Sequence, residues 1–243
     1  LAAAPRARGL CGAGPDAGTP CSIGTCNGAG TCLLSNDYPQ NATYLGSVPG
    51  AQLVATGNNC AATTQSSWCN SGKELYYRFY VSQRSVLYAD TFGSTFDTVI
   101  NISSDGYNSY TCNDDACGTL QSQVPGLTNT GAIFVANPGY YYIAVGGFAS
   151  GCGNFTVRVQ AVPASNEVLN VPRGGGQVYY HAVSGQPNYV NIGCNASGGD
   201  ITYFWSLCPG VGGGTFSANT CTSYTNYDTV LEHALAERNE PFD

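Results

Sequence analysis

The chain has 243 residues, of which 43% are hydrophobic and 9% charged, with a net charge of −7 and only eight Lys and Arg. So few cations exclude a phosphate-binding surface, since nucleic-acid affinity is drawn mostly from Lys and Arg, and no apolar run reaches the roughly 20 residues of a membrane-spanning helix. Length and apolar content suit two modest cores better than one, and a surface of hydroxyls and amides rather than ion pairs is an extracellular look.

The chain begins Leu1-Ala-Ala-Ala-Pro5 rather than with Met, which reads as a secretory chain after processing, or as a fragment. Twelve cysteines, an even number set among Gly-rich turns, predict disulfides formed in an oxidising compartment. Residues 1–34 form an N-terminal arm and a Cys-rich segment. Cys11, Cys21, Cys26 and Cys32 lie there among too few apolar side chains to make a core, so two local disulfides are expected to hold it. A zinc knot is the alternative. Against it, the C-x9-C-x4-C-x5-C spacing lacks the C-x2-C pairs of zinc ribbons, and no His lies nearby.

Residues 35–162 read as a first β-sandwich. Alternation of apolar and polar positions predicts strands at 51–55, 75–81, 86–89, 98–102, 133–135, 140–145 and 154–159, divided by Gly, Pro, Asn and Ser turns. On the strand at 140–145, Tyr140 and Tyr142 share one face and Tyr141 takes the other. Tyrosines left exposed stack on sugar rings or anchor a protein interface; buried ones fill the core and line its rim.

Residues 163–243 read as a second, incomplete copy. Glu74-Leu-Tyr-Tyr-Arg-Phe79 is matched by Asp200-Ile-Thr-Tyr-Phe-Trp205, Thr95-Phe-Asp-Thr-Val-Ile100 by Asn226-Tyr-Asp-Thr-Val-Leu231, and Asn36-Asp37 by Asn166-Glu167. After Asp228, however, the chain gives only Thr-Val-Leu-Glu and a polar tail. A sandwich lacking its last strands leaves unpaired backbone groups and a bare apolar face. Either the chain is truncated or another chain supplies the strands.

The Asn36-Asp37 start, the ELYYRF strand, Phe96-Asp-Thr-Val99, Cys112-Asn-Asp-Asp-Ala-Cys117 and the closing Tyr140-Tyr-Tyr-Ile-Ala-Val-Gly-Gly147, followed by Gly153-Asn-Phe-Thr-Val157, together resemble a known family. It is the bacterial pre-peptidase C-terminal domain, in the Cys-rich form of secreted myxobacterial proteins. The resemblance covers 35–162 well and 164–232 in part. It implies all-β, tandem jelly-roll-like sandwiches that serve as non-catalytic appendages of secreted enzymes or surface proteins. It also implies a calcium set, because some relatives bind the ion with the Asn-Asp start and later acids, here Asn36, Asp37 and Asp97.

Read from the residues alone, Asp97 and Asp228 recur at matching positions and Asp114-Asp115 occupy a tight Cys-bounded turn. Such carboxylates either converge on calcium or accept backbone N–H groups at a sheet corner; no D-x-D-x-D-G loop is present. For catalysis the signals are poor. His181 and His233 are the two histidines, and neither a G-x-S-x-G elbow nor an H-E-x-x-H pair occurs. No catalytic or cofactor residue is therefore assigned.

Sequons at Asn41, Asn101, Asn154 and Asn195 offer glycan acceptors. Short spacings suggest Cys60–Cys69, Cys112–Cys117 and Cys208–Cys221 as local staples, leaving Cys152 and Cys194, whose meeting would lock the two units together; connectivity stays open at this level.

The expectation is a non-catalytic extracellular structural or adhesive protein at the cell surface, with glycans as further partners and no nucleic acid or membrane span. It would be a homo-oligomeric filament subunit, completed head-to-tail by a neighbour's strand. The donor would be the arm 1–10, although Pro5 and two arginines make it a poor one. The alternatives are substrate- or carbohydrate-binding modules of a secreted hydrolase, and a calcium-dependent adhesin.

Overall fold

A computed structural model describes residues 24–26, 30, 32–125, 134–170, 181–188, 198–204, 208, 217–221, 223 and 225. Strands β1 (Gly24–Cys26) and β2 (Cys32–Leu34) pair as a short antiparallel ribbon. Next come β3 (Thr43–Val48), β4 (Leu53–Asn58), β5 (Ser71–Val81), β6 (Ser85–Asp90), β7 (Thr98–Ser103) and β8 (Thr111–Asn113). They are followed by β9 (Gln123–Val124), β10 (Val135–Ala136), β11 (Gly139–Phe148) and β12 (Asn154–Pro163). β13 (Glu167–Asn170) and β14 (Ile201–Phe204) then form a separate parallel pair. No helix among the described residues is long and apolar enough to cross a membrane.

Strands β3 to β12 make two sheets. One has the order β3-β5-β11-β7-β8, with β3 parallel to β5; the other has the order β10-β6-β12-β4, with β9 also on β6. Period-two alternation sends Leu75, Tyr77, Phe79 and Val81 of β5, Ile100 and Ile102 of β7, and Ile143 and Val145 of β11 to one face. There they pack on Leu87, Ala89, Phe155, Val157 and Val159 of the other sheet. Phe79, Leu87, Ile100, Ile102 and Ile143 are fully buried, each contributing about 1.5–3 kcal/mol of transfer free energy.

Strand 51–55 of the sequence reading is displaced to β4, and residue 133 of the predicted 133–135 lies outside the described residues. Within the two sheets, β3, β8 and β9 lie outside the stretches where the sequence alternates. In β3 the alternation is broken by Gly46, at φ 130°, where the register with β5 shifts. β8 and β9 are too short to show a period.

On its non-core side β5 carries Glu74, only 1% exposed. Its Oε2 accepts the Gln65 N–H at 2.8 Å, and its Oε1 accepts the hydroxyls of Ser66 and Ser71 at 3.0 and 2.9 Å. A buried carboxylate thus holds down the loop 59–70, because its lone pairs have no other partner in a low-dielectric site.

The expected local staples are not formed. Cys60 bonds Cys152, Cys69 bonds Cys112, and Cys117 bonds Cys208, while Cys221 is free and exposed. Cys152 therefore cannot meet Cys194, which itself lies outside the described residues, as do Cys11 and Cys21. Cys26 and Cys32 are both disulfide-bonded. These bonds belong to a chain that folds in an oxidising compartment, away from the cytosol. Beside the Cys117–Cys208 link, Arg84 ties the first sheets to the later chain. Its Nε donates to the Ser165 carbonyl at 2.8 Å and its Nη2 to that of Asn166 at 3.0 Å.

Candidate functional site

Two features face outward with unspent chemistry. The first is an acidic corner. β7 and β8 pair antiparallel with Ile100 opposite Asn113, so the residues entering β7 lie beside those leaving β8. That register brings Asp97 to Asp114 and Asp115, and one carboxylate oxygen from each lies within 4.8 Å of the other two. The loop is firmly set. Its tip is closed by the Ala116 N–H on the Gln121 carbonyl at 2.8 Å, with Cys117 at φ 59° and Gly118 at φ 71°, and disulfides leave it at Cys112 and Cys117. The Ser122 hydroxyl sits against the Asp114 carbonyl at 2.5 Å.

Asp97 Oδ1 and Asp114 Oδ1 are buried with no hydrogen-bond partner. Burial, and then the charges of Asp97 and Asp115, push the Asp114 carboxyl up to about 6. Burial and Asp115 raise Asp97 as well. Two oxygens on one calcium, each at about 2.4 Å, are at most ~4.8 Å apart, so this donor set fits a divalent cation.

The implied partners of Asp97 are elsewhere. Asp37, wholly buried, accepts the Thr63 N–H at 2.7 Å and the Thr63 hydroxyl at 2.8 Å. Asn36 donates from Nδ2 to the Tyr76 carbonyl at 3.2 Å. Both side chains are taken up in these hydrogen bonds, and the structure groups Asp97 with Asp114 and Asp115 rather than with Asn36 and Asp37. Asp228 lies outside the described residues.

The second feature is an aromatic face. The outer side of the β3-β5-β11 sheet is covered by the loop 59–70 at one end and open at the other. There Tyr44 pairs across strands with Arg78, Arg78 with Tyr142, and Tyr80 with Tyr140. Tyr44 and Tyr140 are 50% and 53% exposed. The Arg78 guanidinium carbon is 5.0 Å from the Tyr140 ring centroid and 5.8 Å from that of Tyr44. Tyr80 meets Tyr140 edge-on at 5.1 Å. Tyr141 points the other way and stacks on Phe79 in the core at 6.1 Å.

No family model matches the chain, and no curated protein does. Solved structures do. In fold the chain is similar to a pre-peptidase C-terminal domain. That domain, from the collagenase of Bacillus anthracis, matches at 17% identity over 49% of this chain and 94% of its own, with a TM-score of 0.33. The periplasmic inhibitor of g-type lysozyme from Aeromonas hydrophila matches at 14% identity over 50% of this chain and 99% of its own, with a TM-score of 0.30. A mutant of the Escherichia coli inhibitor matches at 12% identity over 50% and 100%, with a TM-score of 0.25. These are likenesses of fold, from which no activity is carried over.

The sequons divide. Asn41 and Asn154 are exposed. Asn101 is buried on β7 with its side-chain oxygen accepting the Ser109 hydroxyl at 2.5 Å, so the folded chain does not offer it to a glycan. Asn195 lies outside the described residues, as do His233 and the arm 1–10. His181 Nδ1 lies 3.0 Å from Glu167 Oε1.

Proposed function

We propose that the chain is a non-catalytic extracellular module that works by holding another surface. The observation that carries this reading is the rigid, open Tyr44–Arg78–Tyr140 face, built on three hydrogen-bonded strands. A row of aromatic rings fixed by a sheet has little entropy to lose on contact and has the composition of an interface centre. The buried acids Asp37 and Glu74, whose oxygens are taken up by loop hydrogen bonds, support a scaffold role over general acid–base work. The test is retention of the protein on polysaccharide- and protein-coated surfaces. Tyr44→Ala with Tyr140→Ala is expected to cut it about ten-fold, and unchanged retention refutes the reading.

Calcium at Asp97, Asp114 and Asp115 belongs to the same proposal, as a brace for the edge of the sheet. A second reading, a head-to-tail filament completed by strand donation, is favoured by β13 and β14. Among the described residues they form a two-stranded parallel pair, and so small a sheet is marginal by itself, which is where a donated strand would add most. Negative-stain imaging of purified protein is expected to find fibres; discrete particles in every condition remove that reading.

A further inference from the structure

We propose that the face around Arg78 is a binding platform for a carboxylated polysaccharide, with sugar rings stacked on Tyr44 and Tyr140 and a carboxylate received by the Arg78 guanidinium. This names the ligand class for the open face described above and rests on that reading.

The cation is the first argument. The chain holds fifteen acids against eight Lys and Arg. Yet no carboxylate or carbonyl among the described residues bonds Arg78, whose Nε is buried without a partner. By contrast Arg158, on the other sheet, is closed off by Asp90 at 3.0 Å. Arg78 is held by its rings alone, at 5.0 and 5.8 Å. Cation–π contacts of this kind orient the planar fork without satisfying its N–H donors. A carboxylate matches that fork in shape and charge.

The surroundings select the rest of the ligand. Tyr44, Tyr80, Tyr140 and Tyr142 contribute ring faces with hydroxyl tips, and Tyr44 Oη meets Ser47 Oγ at 3.2 Å. Among the described residues the cross-strand partners of this set are Tyr, Arg and Ser, so the face gives a protein partner few aliphatic contacts. A pyranose has the complementary build, with C–H faces to lie on rings and hydroxyls at its edge. A second copy of this chain suits the face less well. A two-fold contact centred on it would set one Arg78 against the other. The net charge of −7 repels a polyanion at a distance. That repulsion is screened beyond about 8 Å at physiological salt, which leaves the local contact with Arg78 to decide binding.

The experiment is affinity electrophoresis and calorimetry with polygalacturonate and with its methyl ester, which keeps the sugar and removes the charge. The wild-type chain is expected to bind the acid form about ten-fold more tightly than the ester. Arg78→Gln should bind both alike, and Tyr140→Ala should bind both about ten-fold more weakly with its melting temperature unchanged. Arg78→Lys, which keeps the charge without the fork, is the second variant should Arg78→Gln fail to fold, and is expected to lose most of the preference. Equal binding of acid and ester by the wild type overturns the inference and leaves the surface-holding reading standing. Failure to bind polygalacturonate, alginate and hyaluronate also overturns it. If the tyrosine variants then keep full surface retention, the underlying reading falls as well. Concentration-dependent dimers abolished by Tyr140→Ala assign the face to self-association and overturn the inference too.

Discussion

Replacing Asp114 by Asn should raise stability without calcium and lower it with calcium. The reason is visible in the corner: three carboxylates converge within 4.8 Å, and two of their oxygens are buried without a donor. Burial first, and then the charges of Asp97 and Asp115, push the Asp114 carboxyl up to about 6 from an ordinary value of 3.8. A carboxyl raised on folding binds its proton more tightly in the native state. Stability therefore falls as pH climbs from about 4 to 6 and is flat above, by at most ~3 kcal/mol. Solvent screening at this half-buried position trims the loss to about 1–2 kcal/mol. Asn removes that cost, so at pH 7 in chelator the variant should melt about 2–8 °C above wild type, and at pH 4 the two should coincide. Calcium at a hundred times its dissociation constant stabilises a binding-competent fold by about 2.7 kcal/mol, and the variant loses most of it, so the order of melting temperatures reverses. Differential scanning fluorimetry across pH 4 to 8, with chelator and with calcium, reads all of this. A variant less stable than wild type in chelator at pH 7, or a wild type indifferent to calcium, refutes the reasoning.

Three further predictions follow from the scaffold. Asp37→Ala strips the buried Thr63 N–H and hydroxyl of their acceptor and should cost about 2–4 kcal/mol in urea unfolding; a loss under ~0.5 kcal/mol would mean that this contact does not hold the loop. Gly147→Ala places a Cβ 1.9 Å from the Gly151 carbonyl oxygen and should cost more than about 3 kcal/mol or prevent folding. Gly93→Ala, at φ 91° in open space, should cost only about 1–2 kcal/mol, and equal losses would break the steric account. Removing both Cys117 and Cys208, which are 91 residues apart, should lower stability by up to about 4–5 kcal/mol, and an unchanged denaturation midpoint would contradict it.

How far the fold could be read from the chain depended on strand length. β5, β7 and β11 run long enough for alternation to be counted, and Tyr140, Tyr141 and Tyr142 fall on the faces that parity assigns them. β9 buries a glutamine, Gln123, and has no apolar period to show. The cysteine pairings failed for a related reason. Nearness in sequence is a poor guide to pairing in this sandwich, where β4 lies beside β12 and β5 beside β11. The β4–β12 register sets Asn58 against Asn154. Continued two residues outward it sets Cys60 against Cys152, and the Asn59 N–H on the Gly153 carbonyl at 3.3 Å shows that the approach persists there. Knowing which strands pair would have given the disulfide.

The acidic corner is a product of pairing in the same way. Asp97 and the Asp114-Asp115 turn were each noticeable alone, but their meeting depends on the β7–β8 hairpin, whose second strand has only three residues. A one-residue slip in that hairpin would turn its side chains to the opposite face and scatter the carboxylates. A cation bound there would hold the register of an edge strand that has little pairing of its own. The disulfides at Cys112 and Cys117 restrain the same segment covalently. An ion bound there would act on the same weakness as the disulfides, the short outer strand. Calcium should therefore slow amide exchange across β8 and the turn that follows it more than across β5, where eleven residues of ladder already hold. Uniform slowing across both strands would show that the ion steadies the sandwich as a whole and not this edge.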